Sequence, residues 1–180
     1  MALLPYPADD ELDPRAAEVL ERLPVRINLF SMLANAPAML RPTLGLGSAI
    51  LRGGELDPKL RELAILRVAH VTGTEYEWVQ HVPIAAAVGV PDDQVAALSN
   101  DAFDRSQFSD DDALAIDIVD ATLRDERVHP SLVTRGAEVF GPAVLLELLI
   151  VAGYYAMLGN VMRAVELDVD APAAQRGSFP

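Results

Sequence analysis

Two of the three histidines, the single tryptophan and several carboxylates fall in one stretch, Glu62 to Gly89, reading ELAILRVAHVTGTEYEWVQHVPIAAAVG. A histidine beside a carboxylate is equipment for proton transfer. Imidazole titrates near neutral pH, and a carboxylate can orient it or take a proton back. Glu77 and His81 are four residues apart, so on a helix they share a face. His81, Glu77 and Glu62 are therefore candidate site residues, and Thr74, Tyr76, Trp78 and Arg67 stand in the same stretch. A second chemistry is a metal site. On one unbroken helix His70, Glu77 and His81 would lie within ~40° of each other at ~100° per residue, a donor set suited to zinc or iron. A break at Gly73 would destroy that phase, so neither a metal nor a cofactor is expected.

These residues need helices to hold them, and the punctuation is helical throughout. Asp13-Pro14 and Asp57-Pro58 each read as an N-cap followed by proline in the first turn. Helices are expected from Pro14 to Leu23, over Ile27–Leu33, from Pro37 to Arg52 and from Pro58 to Thr72. Others follow from Thr74 to Gly89, over Pro91–Ser99, from Asp110 to Leu123 behind a Ser109 cap, from Pro130 to Gly141, and from Pro142 to Glu166. No alternating run marks a strand. The fold class is therefore all-α, with about eight or nine helices. Thr74-Glu75-Tyr76-Glu77 fits a capping box, which would give Thr74 and Glu77 backbone duties. Pro83 should disturb its helix. The helix from Pro58 is apolar on nearly every side, so Glu62, Arg67 and His70 require partners. His70 is expected to bond a backbone carbonyl, and His129 to be structural at a helix start.

Composition narrows the rest. The chain has 180 residues and a formal charge of −13, with 51% apolar and 23% charged residues. That fits one folded domain. An N-terminal helical arm (1–34), a core (35–125) and a C-terminal helix pair (126–170) are its expected parts. Net negative charge and a single lysine disfavour nucleic acid. The absence of cysteine excludes disulfides, thiolate metal sites and cysteine redox chemistry. No signal peptide is visible, so the cytoplasm is the expected location. The segment Ala143–Met162 is long and apolar enough to span a membrane, but Glu147, Asn160 and Arg163 interrupt it. It reads instead as a core or subunit-interface helix of a homo-oligomer. The tail from Asp170 is expected to fray or to lie on a neighbour.

The run ELAILRVAHVTGTEYEWVQHVPIAAAVGV resembles the carboxymuconolactone decarboxylase family, which shares its fold with alkyl hydroperoxidase D. The likeness extends more loosely through LPVRINLFSMLANAPAMLRPTLGLGSAILRGGELDP and FSDDDALAIDIVDATL. In the peroxidase branch of that fold a Cys-x-x-Cys pair stands at the helix break, between a glutamate and a histidine. The resemblance places the glutamate on Glu62, the histidine on His81 and the cysteines on Thr74 and Glu77. This chain has no sulfur there, so hydroperoxide reduction through a thiol is not open to it. In the decarboxylase branch the resemblance implies a lyase or isomerase: cofactor-free proton transfer to a small lactone or cyclic substrate by His81 with Glu77 and Glu62, in a homo-oligomer (a dimer, trimer or hexamer). The same resemblance implies that Glu77 holds the imidazole or takes its proton back, that Glu62 orients His81 directly or through a water, and that Arg67 is the cation to meet an anionic group. Tyr76, Trp78 and Thr74, with Tyr154 or Tyr155, would then border a substrate less charged than the family's dianionic lactone. The reading from another class is a non-catalytic binding or scaffold protein on the same fold.

Overall fold

The computed structural model describes residues 1–124 and 127–170; the tail from Ala171 lies outside them. Among the described residues there are eight α-helices and no strand: α1 (Pro14–Glu21), α2 (Asn28–Leu33), α3 (Pro37–Arg52), α4 (Pro58–Thr72), α5 (Glu75–Ala87), α6 (Asp92–Leu98), α7 (Asp110–Arg124) and α8 (Pro130–Ala164).

Local chemistry sets the boundaries. Asp57 accepts from the Leu60 amide and starts α4, and Asp13 accepts from the Arg15 amide and starts α1. Ser109 accepts from the Asp112 amide at the head of α7. His129 caps α8 by accepting from the Ser131 amide, the structural role expected of it. α4 ends at Gly73 with φ +65°, a left-handed cap that favours glycine. The separate helices expected on either side of Gly141 form one long element bent there, where φ is +79° and ψ is 158°.

α4 is the axis of the molecule. Every residue from Leu60 to Ala69 is buried, and α5, α6, α7 and α8 all pack on it. A helix enclosed on all sides has no wet face, which is why its residues show no amphipathic pattern. The main core joins Leu63, Ile65, Leu66 and Val68 of α4 to Leu114, Ile116 and Ile118 of α7 and to Leu148, Val151 and Leu158 of α8. A smaller core of Ala16, Val19, Leu20, Ala34 and Leu40 ties α1 to α3.

α8 is long and apolar enough to cross a membrane by length and composition. Its inner face is core, and the glutamate that interrupts it is structural. Glu147 accepts from the amides of Glu55 and Leu56 at 3.0 and 2.7 Å, steadying the turn that leads into α4. Towards its end α8 comes very close to α5. A Cβ on Gly159 would stand 2.5 Å from the Thr74 hydroxyl oxygen, so only glycine lets the helices meet here.

Candidate active site

Three helices meet where the chemistry was expected. α4 contributes Glu62, fully buried, and α5 contributes Glu77 and His81, 3% and 8% exposed. α8 contributes Tyr154 and Tyr155, both buried. His81 Nδ1 lies 2.8 Å from Glu62 Oε2. A carboxylate oxygen accepts, so the geometry selects, for a neutral ring, the tautomer with its proton on Nδ1 and the lone pair on Nε2. The Arg61 guanidinium donates Nε–H to the other oxygen of Glu62 at 3.2 Å and Nη1–H to the Leu51 carbonyl. Glu62 is thus held from both sides. The Tyr155 ring meets the His81 ring edge-to-face, with centroids 5.1 Å apart, and Tyr154 packs in the same way on Tyr155. The Tyr154 hydroxyl donates to the Thr43 carbonyl of α3.

Glu77 departs from expectation. It neither closes a capping box nor holds His81: both of its oxygens are buried without a hydrogen-bond partner. Burial therefore pushes its carboxyl well above the usual range and favours the protonated form. Nor does Thr74 cap α5 through its side chain; its hydroxyl pairs with that of Thr72 at 2.8 Å. Burial is also the main reason both tyrosine hydroxyls are hard to ionise. The Tyr154 pKa is pushed up to about 12, with the Glu77 charge adding to the effect. Tyr155 is raised further in the same direction, with Glu62 and Glu77 contributing.

Several other expectations are corrected. Arg67 is not a free substrate anchor. It is fully buried, and its five donors go to both Asp120 oxygens and to the carbonyls of Leu98, Asn100 and Asp101. Tyr76 lies on the far side of α5, where its hydroxyl bonds Asp170. Gln80, on the same side of α5, donates to the Asp170 carbonyl. Asp170 also accepts from the Asn28 amide, so the start of the tail is fastened across α2 and α5. His70 bonds the Asp101 carboxylate rather than a backbone carbonyl. The metal set of His70, Glu77 and His81 is not assembled: no group of three metal-ligating side chains occurs among the described residues. Pro83 is accommodated within α5 without ending it.

Of the surface grooves among the described residues, two stand out, and neither is lined by Glu62, Glu77 or His81. One, of about 250 Å³, runs past His70, Thr74, Glu75 and Trp78 at the α4–α5 break, which puts Thr74 and Trp78 on its wall. The other, of about 160 Å³, lies between α3 and α8 beside Leu46, Gly54 and Ile150. Arg61 and Tyr155 are the site residues that the sequence reading undervalued. The available signal for Arg61 was its position: a charge beside Glu62 inside an apolar run has to be paired.

Residues 37–108 match the Carboxymuconolactone decarboxylase family, which bears out the resemblance carried by the central motif. The matched span includes Glu62, Glu77 and His81 but not the tyrosines of α8. No curated protein matches the chain. Among solved structures, two uncharacterised peroxidase-related proteins are similar, both at 15% identity and covering 94% of this chain and 92% of their own. The one from Ralstonia eutropha JMP134, described as an alkylhydroperoxidase AhpD core, has a TM-score of 0.78. The one from Silicibacter sp. TM1040 has a TM-score of 0.79. A protein of unknown function from Agrobacterium tumefaciens aligns at 11% identity and a TM-score of 0.70, over 78% of this chain and 96% of its own. The fold is therefore the all-α fold of alkyl hydroperoxidase D-like proteins, in a chain without cysteine.

Proposed function

We propose that this protein is a cofactor-free proton-transfer enzyme, a decarboxylase-like lyase or an isomerase, acting on a small organic molecule of lactone or cyclic type. The observation that carries the reading is the buried Glu62–His81 bond at 2.8 Å, with Glu77 buried and unbonded one helical turn before His81. Two carboxyl groups in one site with opposite surroundings suit opposite tasks. Glu62, fixed by Arg61, orients the imidazole and balances the charge His81 gains when it takes a proton. Glu77 keeps a proton to give. The family matched over residues 37–108 supports the lyase assignment. The test is a panel of small lactones and unsaturated cyclic acids, followed by ultraviolet absorbance and carbon dioxide release. Turnover by the wild type should fall at least 100-fold in His81→Asn. Turnover that survives this change overturns the reading.

We further propose that the protein is a cytoplasmic homo-oligomer built through α8. Its outer face exposes Ala143, Leu146, Ile150, Gly153 and Met157. These recur at alternating three- and four-residue steps and form a seam of coiled-coil type. Leu46 of α3, also exposed, widens that apolar surface. Light scattering on the eluting protein should give a dimer or larger, and a clean monomer overturns the assignment.

A further inference from the structure

Glu62, Glu77 and His81 are buried, and neither of the two grooves is lined by them. A molecule from solvent reaches them only if a wall moves. α4 is enclosed on all sides and the inner face of α8 is core, which leaves α5. This helix packs mainly on α4 and far less on α8. A left-handed glycine stands just beyond each of its ends, Gly73 with φ +65° and Gly89 with φ +88°. An added Cβ would meet nothing within 4 Å at either, so both joints have room to turn. Pro83 takes one hydrogen bond out of the helix. The seated position also carries a cost, because it buries both oxygens of Glu77 without a bond.

The outer side of α5 is held by the chain that leaves α8, residues 165–170. Asp170 accepts from the Tyr76 hydroxyl and, at 2.8 Å, from the Asn28 amide, and its carbonyl accepts from Gln80 Nε2 at 3.2 Å. Tyr76 and Gln80 are one turn apart on α5 and immediately precede Glu77 and His81. Asp168 ties the same strap to the N-terminal arm, accepting from the Ala2 amide and the Tyr6 hydroxyl, both at 3.1 Å. The strap buries little apolar surface: of residues 166–170, Leu167 alone is buried. Its root is strained, because Glu166 has φ +50°, where a side chain is disfavoured. A segment that rests on hydrogen bonds, with little apolar burial and a strained root, is among the first to detach.

We propose that α5 is a clasped lid. When residues 165–170 let go of Tyr76 and Gln80, α5 swings outward about Gly73 and Gly89, the His81–Glu62 bond parts, and His81 and Glu77 reach solvent. The strap thereby controls entry to the buried pair, independently of the reaction the pair performs. A hydrogen bond to a carboxylate is strong enough that its loss raises the open population about tenfold.

The test is acylation of the histidines of the full chain by diethyl pyrocarbonate at neutral pH, read residue by residue by peptide mass spectrometry, with amide hydrogen exchange on the same proteins. Asp170→Ala and Tyr76→Phe remove opposite sides of one bond, and Tyr76→Phe keeps the buried ring. In both, His81 should be acylated about tenfold faster than in wild type. The amides of α5 should exchange faster by a similar factor, while those of α4 and α7 keep their wild-type rates. His129, exposed in the folded protein, should react at the same rate in every variant and faster than wild-type His81. Asp170→Ala, at a half-buried position, covers the case in which Tyr76→Phe does not fold. Ser109→Ala removes the cap of α7 and lowers stability away from the strap, so it should leave the His81 rate as in wild type. An unchanged His81 rate in both strap variants overturns the proposal. So does an acceleration in Ser109→Ala equal to that in Asp170→Ala, or a gain in α4 and α7 exchange as large as that in α5, because either means general unfolding and no lid.

Discussion

Replacing Glu77 by glutamine should change how stability depends on pH. In the unfolded chain this carboxyl titrates near its ordinary value of 4.5, whereas burial raises it well above that in the folded protein. Between those two values the folded state binds a proton that the unfolded state has released. Stability therefore falls as pH rises through that window, and the loss is complete only above the folded-state value. One proton corresponds to at most about 1.4 kcal/mol per pH unit. For a chain of this size that is roughly 3–6 °C in melting temperature per pH unit. Glutamine keeps the shape and removes the titration, so other groups cancel in the comparison. Urea unfolding of wild type and Glu77→Gln from about pH 5 to 8 should give curves that diverge as pH rises, with wild type losing ground. Parallel curves would refute the argument, because they would mean that Glu77 takes up no proton on folding.

Other parts of the structure give independent outcomes. Arg67→Met should cost at least about 3 kcal/mol in urea unfolding, because it leaves Asp120 and three carbonyls without their donor. Gly159→Ala should destabilise by roughly 1–3 kcal/mol, since the new methyl would collide with the Thr74 hydroxyl. Gly153, also in α8, has open space around it. Gly153→Ala should therefore leave the folded monomer unharmed or stabilise it by up to about 1 kcal/mol. Leu146→Asp with Ile150→Asp should shift the eluting species to monomer in light scattering, with the helical circular dichroism kept.

The helices were legible because their ends are written in local chemistry. Asp57-Pro58, Ser109 and His129-Pro130 each cap the helix that follows. Glu62 and His81 were legible as partners because a charged residue on a fully apolar helix has to be satisfied by something brought to it. What the sequence could not show is which partner arrives. Arg67 looked like a substrate anchor, and only the fold brings Asp120 and the carbonyls of the α6–α7 connection around it. Glu77 looked like part of a capping box because its spacing from Thr74 is right. In the fold the Thr74 hydroxyl pairs with Thr72 instead, and the carboxyl of Glu77 is buried without a bond. Tyr155 could be named only as a border of the substrate, because its contact with His81 spans 74 residues of sequence and leaves no local mark.

The bond from His81 Nδ1 to Glu62 underlies every step assigned to this site. Nitrogen-15 NMR of the imidazole at alkaline pH reads it directly. The account predicts that wild-type His81 is a single neutral tautomer, protonated on Nδ1 with a free lone pair on Nε2, and that Glu62→Gln perturbs this state while the His129 signals stay put. A wild-type His81 protonated on Nε2, or averaging between the two tautomers, would contradict it.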